Sequence, residues 1–164
     1  MLISNRVIFA GLAAVSLGSL VSALILGDLY RLQLQPCYWC NFQRLLYILL
    51  VFFGLCGSIF PRGYRCWGSL IALTTLGGIA AAGRQSWMQY TPQSVIECGM
   101  GDPTLTEQLV DWLGSIWPEM FMVTGVCTEK EWKVFGLSLA NWSGVCFFGL
   151  FCVSLWVLFR REER

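Results

Sequence analysis

Cys37-Tyr38-Trp39-Cys40 is the stretch of this sequence best suited to chemistry. A bridge across two intervening residues closes almost no loop, so it would restrict the unfolded chain very little. Reactivity is the better reason for the spacing. One thiolate attacks, the second resolves the mixed disulfide, and the local field lowers the pKa of the attacker. The pair precedes an apolar run, which puts Cys40 near a helix N-terminus, where backbone N–H groups and the helix dipole favour a thiolate. Arg44 follows one turn later, at i+4, and adds a fixed positive charge on the same face. Histidine is absent, and with it the commonest general base and metal ligand. Sulfur is left to carry the chemistry.

Other readings of Cys-X-X-Cys fail on detail. Residue 41 is Asn, not His, which excludes c-type haem attachment. A zinc site would want a second close pair or histidines, so no metal is expected. The βαβ pattern of a thioredoxin-like fold is missing, as are flavin and nicotinamide fingerprints and iron–sulfur spacing.

The elements that must hold the pair are membrane helices. Hydrophobic residues make up 56% of the 164-residue chain and charged residues 13%, against a soluble norm of ~45–50% and ~25%. A net charge of +1 offers no basic face to nucleic acid. Four stretches approach the ~20 apolar residues of a spanning helix. They predict a single four-span membrane domain, all-α, with spans at about 7–27, 43–60, 66–83 and 142–159. The uncharged fourth stretch begins as early as Val134, so its first turns are expected outside the hydrocarbon. The first run is too long for a signal-peptide core of ~7–15 residues and is expected to remain as a span.

Arg6, Arg62, Arg65, Arg160, Arg161 and Arg164 lie in short segments on one side. Arg31, Arg44, Arg84, Lys130 and Lys133 share the other side with eight of the ten acids: Asp28, Glu97, Asp102, Glu107, Asp111, Glu119, Glu129 and Glu131. The positive-inside rule then puts both termini in the cytoplasm and loops 28–41 and 84–141 outside, in the periplasm of a bacterial inner membrane. In the second loop, Leu105, Leu109, Trp112, Leu113 and Ile116 recur at helical spacing. Thr104 and Glu107 form a capping-box pattern and Pro118 follows. This predicts a short amphipathic helix lying in the membrane interface. Gly18 with Ser22, and Gly78 with Ala82, are spaced for close helix packing in lipid.

The eight cysteines divide by depth. Cys56, Cys66, Cys146 and Cys152 lie in spans or beside the cytoplasmic turn and read as small apolar fillers. Cys37, Cys40, Cys98 and Cys127 all fall in the outward loops, where disulfides persist. They permit three pairings. A Cys98–Cys127 bridge would restrict the long second loop in the manner of a structural bond. A dithiol where a periplasmic loop meets the bilayer has a lipid-soluble quinone as its natural two-electron acceptor. Arg44 would stabilise an anionic quinone oxygen or anchor the helix at the interface, with Trp39, Phe42 and Tyr47 as flat apolar walls.

The stretch Pro36-Cys37-Tyr38-Trp39-Cys40-Asn41-Phe42-Gln43-Arg44 resembles the signature of the disulfide bond formation protein B (DsbB) family. So do Gly83-Arg84-Gln85-Ser86-Trp87, Cys98, Thr124-Gly125-Val126-Cys127 and the run from Phe135 to Trp142. The resemblance extends from the first span to the last. It implies a quinone-dependent thiol oxidase using ubiquinone or menaquinone, whose partner is a periplasmic DsbA-like protein. That DsbA, DsbB and quinone keep the periplasm oxidising is an established property of that system and not a result of this sequence. By the resemblance, Cys98–Cys127 is attacked by reduced DsbA at Cys98, and Cys127 then engages Cys37. Cys40 is released as a thiolate beside the quinone, and Arg44 is the quinone-proximal arginine. Some members carry a histidine near Arg84-Gln85; this chain has none there. DsbA sits at roughly −120 mV and ordinary structural disulfides below about −300 mV, so such a bond would oxidise DsbA against about 180 mV, or ~8 kcal/mol. The second-loop bridge must then be strained or coupled to a stronger acceptor. Two other functions compete: a vitamin K epoxide reductase-like quinone reductase, which usually carries its pair late in the chain, and a tetraspanin-like scaffold, which has no need of the pair beside Arg44.

Overall fold

The computed structural model describes residues 4–29, 36–90, 104–123, 133–134 and 136–160. Four long helices dominate: α1 (Asn5–Leu29), α2 (Tyr38–Ile59), α3 (Tyr64–Tyr90) and α6 (Leu139–Phe159). Each contains a stretch long and apolar enough to cross a membrane. Between α3 and α6 lie α4 (Leu105–Ile116) and the single turn α5 (Pro118–Phe121). Two-residue strands β1 (Lys133–Val134) and β2 (Leu137–Ser138) pair antiparallel, Lys133 opposite Ser138. Gly136 has φ 80°, a turn conformation that favours glycine.

The bundle packs in a ring. α1 lies on α2, α2 on α3, α3 on α6, and α6 returns more lightly to α1. Phe9 and Leu12 of α1 meet Leu46 and Leu50 of α2, Ile71 of α3 and Phe147 and Leu150 of α6 in one core. The outer surface is apolar as well: Val7, Phe52, Leu73, Val145 and Phe159 are all exposed. That inversion of the soluble pattern is what lipid requires. Backbones approach most closely where side chains are missing. A Cβ at Gly54 would sit 2.9 Å from that of Ala13, and one at Gly78 would overlap the Phe147 ring. Gly78 thus serves the close packing its spacing predicts. Gly18 does not: nothing lies within 4 Å of a Cβ there.

Three element boundaries differ from the apolar counts by three residues or more, for one reason: apolar counts find hydrocarbon, whereas helices end where capping ends them. α2 begins at Tyr38 rather than 43. α3 runs on to Tyr90 rather than 83, so residues 84–90, read as loop, are helix. α6 begins at Leu139, capped by the Ser138 hydroxyl accepting from the Asn141 N–H. The uncharged residues before it are not helical turns; Val134 and Leu137 belong to the small hairpin.

α4 has the predicted limits, and its capping box is formed in both directions between Thr104 and Glu107. Leu105, Leu109, Trp112 and Ile116 are exposed, while Val110, outside that stripe, is fully buried. The helix thus turns its apolar stripe away from the bundle and rests on Val110, as an interface-lying helix would.

Candidate active site: a dithiol at the head of α2

Cys37 is the N-cap of α2, with extended backbone (φ −84°, ψ 172°) and no side-chain capping bond. Cys40 lies in the first turn. This local geometry brings the two Sγ atoms to 3.3 Å, within about 1.3 Å of disulfide bonding distance. Both sulfurs stand where the unpaired N–H groups of the first turn concentrate positive potential.

The extended end of α3 forms the opposite wall. Met88 is buried and packs on Cys37, with Trp39 and Cys40 beside them. One turn earlier on α3, the buried Gln85 donates through Nε2 to Cys40 Sγ at 3.0 Å. Gln43 of α2, also buried, donates through Nε2 to Gln85 Oε1 at 2.8 Å. The two cysteines therefore have different neighbours: a thioether against Cys37, an amide N–H against Cys40.

The second loop docks on the same end. Arg44 Nη1 donates to the Met120 carbonyl at 3.0 Å, and Asn41 Nδ2 to the Phe121 carbonyl at 2.8 Å. Two donors one turn apart on α2 thus grip consecutive carbonyls of α5. Tyr38 lies near Asp111 of α4 at the same helix end.

Of the residues singled out from sequence, Cys37, Cys40 and Arg44 come together on α2. Cys98 and Cys127 lie outside the described residues. Trp39 and Phe42 meet edge to face, with ring centroids 6.2 Å apart. Tyr47 is not a wall of this site. It stacks on Phe147 inside the bundle at 4.3 Å, with its hydroxyl 3.1 Å from Ser143 Oγ. At i+7 from Cys40 it is two turns deeper, where the neighbouring spans close around it. Cys56 and Cys146 are part-buried, Cys146 Sγ lying 3.1 Å from Ser19 Oγ, while Cys66 and Cys152 are exposed.

Sequence reasoning gave no role to Asn41, Gln43, Gln85 or Met88. The signal available was polarity: three amides at the ends of otherwise apolar spans need partners, and here their donors all find them. Among the described residues two buried amide atoms keep no partner, Asn41 Oδ1 and Gln89 Nε2.

Comparison with known proteins shows the family. The family model described as "Disulfide bond formation protein DsbB" matches residues 5–157. The chain belongs to the DsbB family. Disulfide bond formation protein B of Dechloromonas aromatica (strain RCB) is 44% identical over 159 residues, covering 97% of this chain and 94% of that protein. Its namesake in Azoarcus sp. (strain BH72) is 38% identical over 134 residues, 80% of each chain. The one in Aromatoleum aromaticum is 36% identical over 147 residues, 87% of this chain and 86% of the relative. This DsbB-family chain is accordingly a disulfide-forming oxidoreductase and a multi-pass membrane protein, and its dithiol stands at one end of the bundle.

Proposed function

We propose that this protein is a quinone-reducing thiol oxidase. It takes electrons from a periplasmic DsbA-like dithiol protein through Cys98–Cys127 and then Cys37–Cys40. The observation that carries the reading is the paired sulfurs of Cys37 and Cys40, 3.3 Å apart at a helix N-terminus, with the Gln85 amide donating to Cys40. A thiolate from the second loop attacks Cys37 Sγ and forms a new S–S bond there. The Cys37–Cys40 bond breaks, and its electron pair leaves on Cys40 Sγ.

Two polar atoms on α2 and α3 suit a quinone. Among the described residues Asn41 Oδ1 is a buried acceptor without a partner, suited to a hydroquinone O–H, and Gln89 Nε2 is a buried donor without one, suited to a quinone carbonyl. Arg44, one turn beyond Cys40, adds the positive charge that an anionic oxygen needs. When bound, ubiquinone or menaquinone supplies a two-electron, two-proton acceptor. The four spans and the arginines at their short-loop ends support a bacterial inner-membrane protein with cytoplasmic termini and one membrane domain. The exposed apolar stripe of α4 supports its seat in the lipid interface.

The test is quinone absorbance in detergent with reduced DsbA as donor. Turnover is expected with the parent protein and is expected to vanish in Cys37→Ser, Cys40→Ser, Cys98→Ser and Cys127→Ser. Full turnover in Cys40→Ser would refute the route.

A further inference from the structure

Gln85 and Gln43 are polar side chains on the buried faces of apolar helices. Their arrangement has a direction. Gln43 Nε2 donates to Gln85 Oε1, so the oxygen of Gln85 is occupied and its nitrogen faces Cys40 Sγ. A neutral thiol is a weak acceptor; a thiolate is a strong one, and hydrogen bonding to the charged form favours that form. A donor on the carbonyl end of an amide also polarises the N–H at its other end, and the low dielectric of a buried site strengthens both bonds. Cys37, packed on the Met88 thioether, receives no such bond from this pair.

We propose that Gln85 is the hydrogen-bond donor that holds Cys40 as a thiolate, and that Gln43 is the positioning residue that fixes and polarises the Gln85 amide. The proposal rests on the reading that Cys40 is the sulfur released when the pair is opened. A sulfur with a lower pKa leaves faster in thiol–disulfide exchange. The relay therefore selects the direction of opening: attack falls on Cys37 because Cys40 is the better leaving group. No new reactant is needed, since the bond made at Cys37 and the bond broken to Cys40 exchange one electron pair.

The experiment is a pH titration of Cys40 alkylation by iodoacetamide in the full-length protein carrying Cys37→Ser, read peptide by peptide by mass spectrometry. Ionisable groups of the described residues at this end of the bundle are Tyr38 and Arg44 on α2, Arg84 on α3, Glu107 and Asp111 on α4 and Glu119 on α5, and they are the same in every variant compared. Gln85→Met keeps the side-chain length and removes the donor. It is expected to raise the Cys40 midpoint by about one unit, a tenfold loss of thiolate at pH values below both midpoints. Gln43→Met is expected to raise it by a smaller amount. A midpoint that moves by less than about 0.3 unit in a folded Gln85→Met protein overturns the inference. If Gln85→Met does not fold, an unmoved midpoint in Gln43→Met overturns it instead. Quinone reduction by the parent protein is measured separately. Its failure alongside a shifted midpoint would remove the oxidase reading and leave the relay standing, and normal turnover with an unmoved midpoint would do the reverse.

Discussion

Arg44 has two tasks that can be separated by experiment. Its Nη1 bond to the Met120 carbonyl is charge-assisted, and Asn41 holds the next carbonyl with a neutral bond. α5 is a single turn, closed by the bonds from Met120 and Phe121 N–H to Trp117 and from Met122 N–H to Pro118. So short a helix has little stability of its own and depends on its docking. Hydrogen bonds to charged groups contribute ~1.5–3 kcal/mol and neutral ones ~1 kcal/mol. If local opening of α5 requires both bonds to break, Arg44→Met should raise amide exchange at residues 120–122 by about ten- to a hundredfold at ~1.4 kcal/mol per decade. Asn41→Leu should raise it about fivefold, because the lost bond is neutral and its unpartnered Oδ1 leaves with it. Arg44→Lys keeps the charge while losing the planar guanidinium, so exchange should fall between parent and Arg44→Met, while the quinone KM stays closer to parent. The assay is hydrogen exchange with mass spectrometry on the detergent-solubilised protein. Unchanged exchange across 118–122 in Arg44→Met would refute the docking role and leave Arg44 only its charge.

Gly78→Ala should destabilise the bundle by about 1–3 kcal/mol, because its Cβ would overlap the Phe147 ring, and Phe147→Leu should recover part of the loss. Gly18→Ala, where nothing lies within 4 Å, should be neutral or slightly stabilising; thermal unfolding in one detergent compares the set. Cys56→Ser and Cys146→Ser should retain near-parent quinone turnover, since neither sulfur lies at the head of α2. Loss of turnover with folding intact would show that a sulfur within the spans takes part.

The four spans were legible because a bilayer imposes a length and a polarity that few sequences meet by accident. α4 was legible to the residue because both of its ends are written in local chemistry: Thr104 and Glu107 at the start, Pro118 after the end. The dithiol was legible from spacing alone. Its environment was not. Gln85 and Met88 fall beyond the apolar part of α3, and only the continuation of that helix to Tyr90 carries them against the cysteines. Tyr47 misled for the opposite reason. An aromatic seven residues from Cys40 shares its helix face, and nothing in sequence reveals that Phe147, a hundred residues later, already occupies that space. The grip of Asn41 and Arg44 on residues 120 and 121 is a contact to main-chain carbonyls, which every residue has, so no pattern of side chains announces it.

The N-cap of α2 bears on what stays fixed during turnover. Cys37 terminates the helix through its backbone, its carbonyl accepting from Asn41 N–H at 3.1 Å, and its side chain takes no part in capping. Making or breaking a bond at that sulfur therefore removes nothing that α2 needs to remain helical. Under the proposed cycle the spans behave as a fixed frame, and the structural work of each round falls on segments outside the bilayer. Under that cycle electrons pass from an aqueous protein to the lipid phase while α2 keeps its cap.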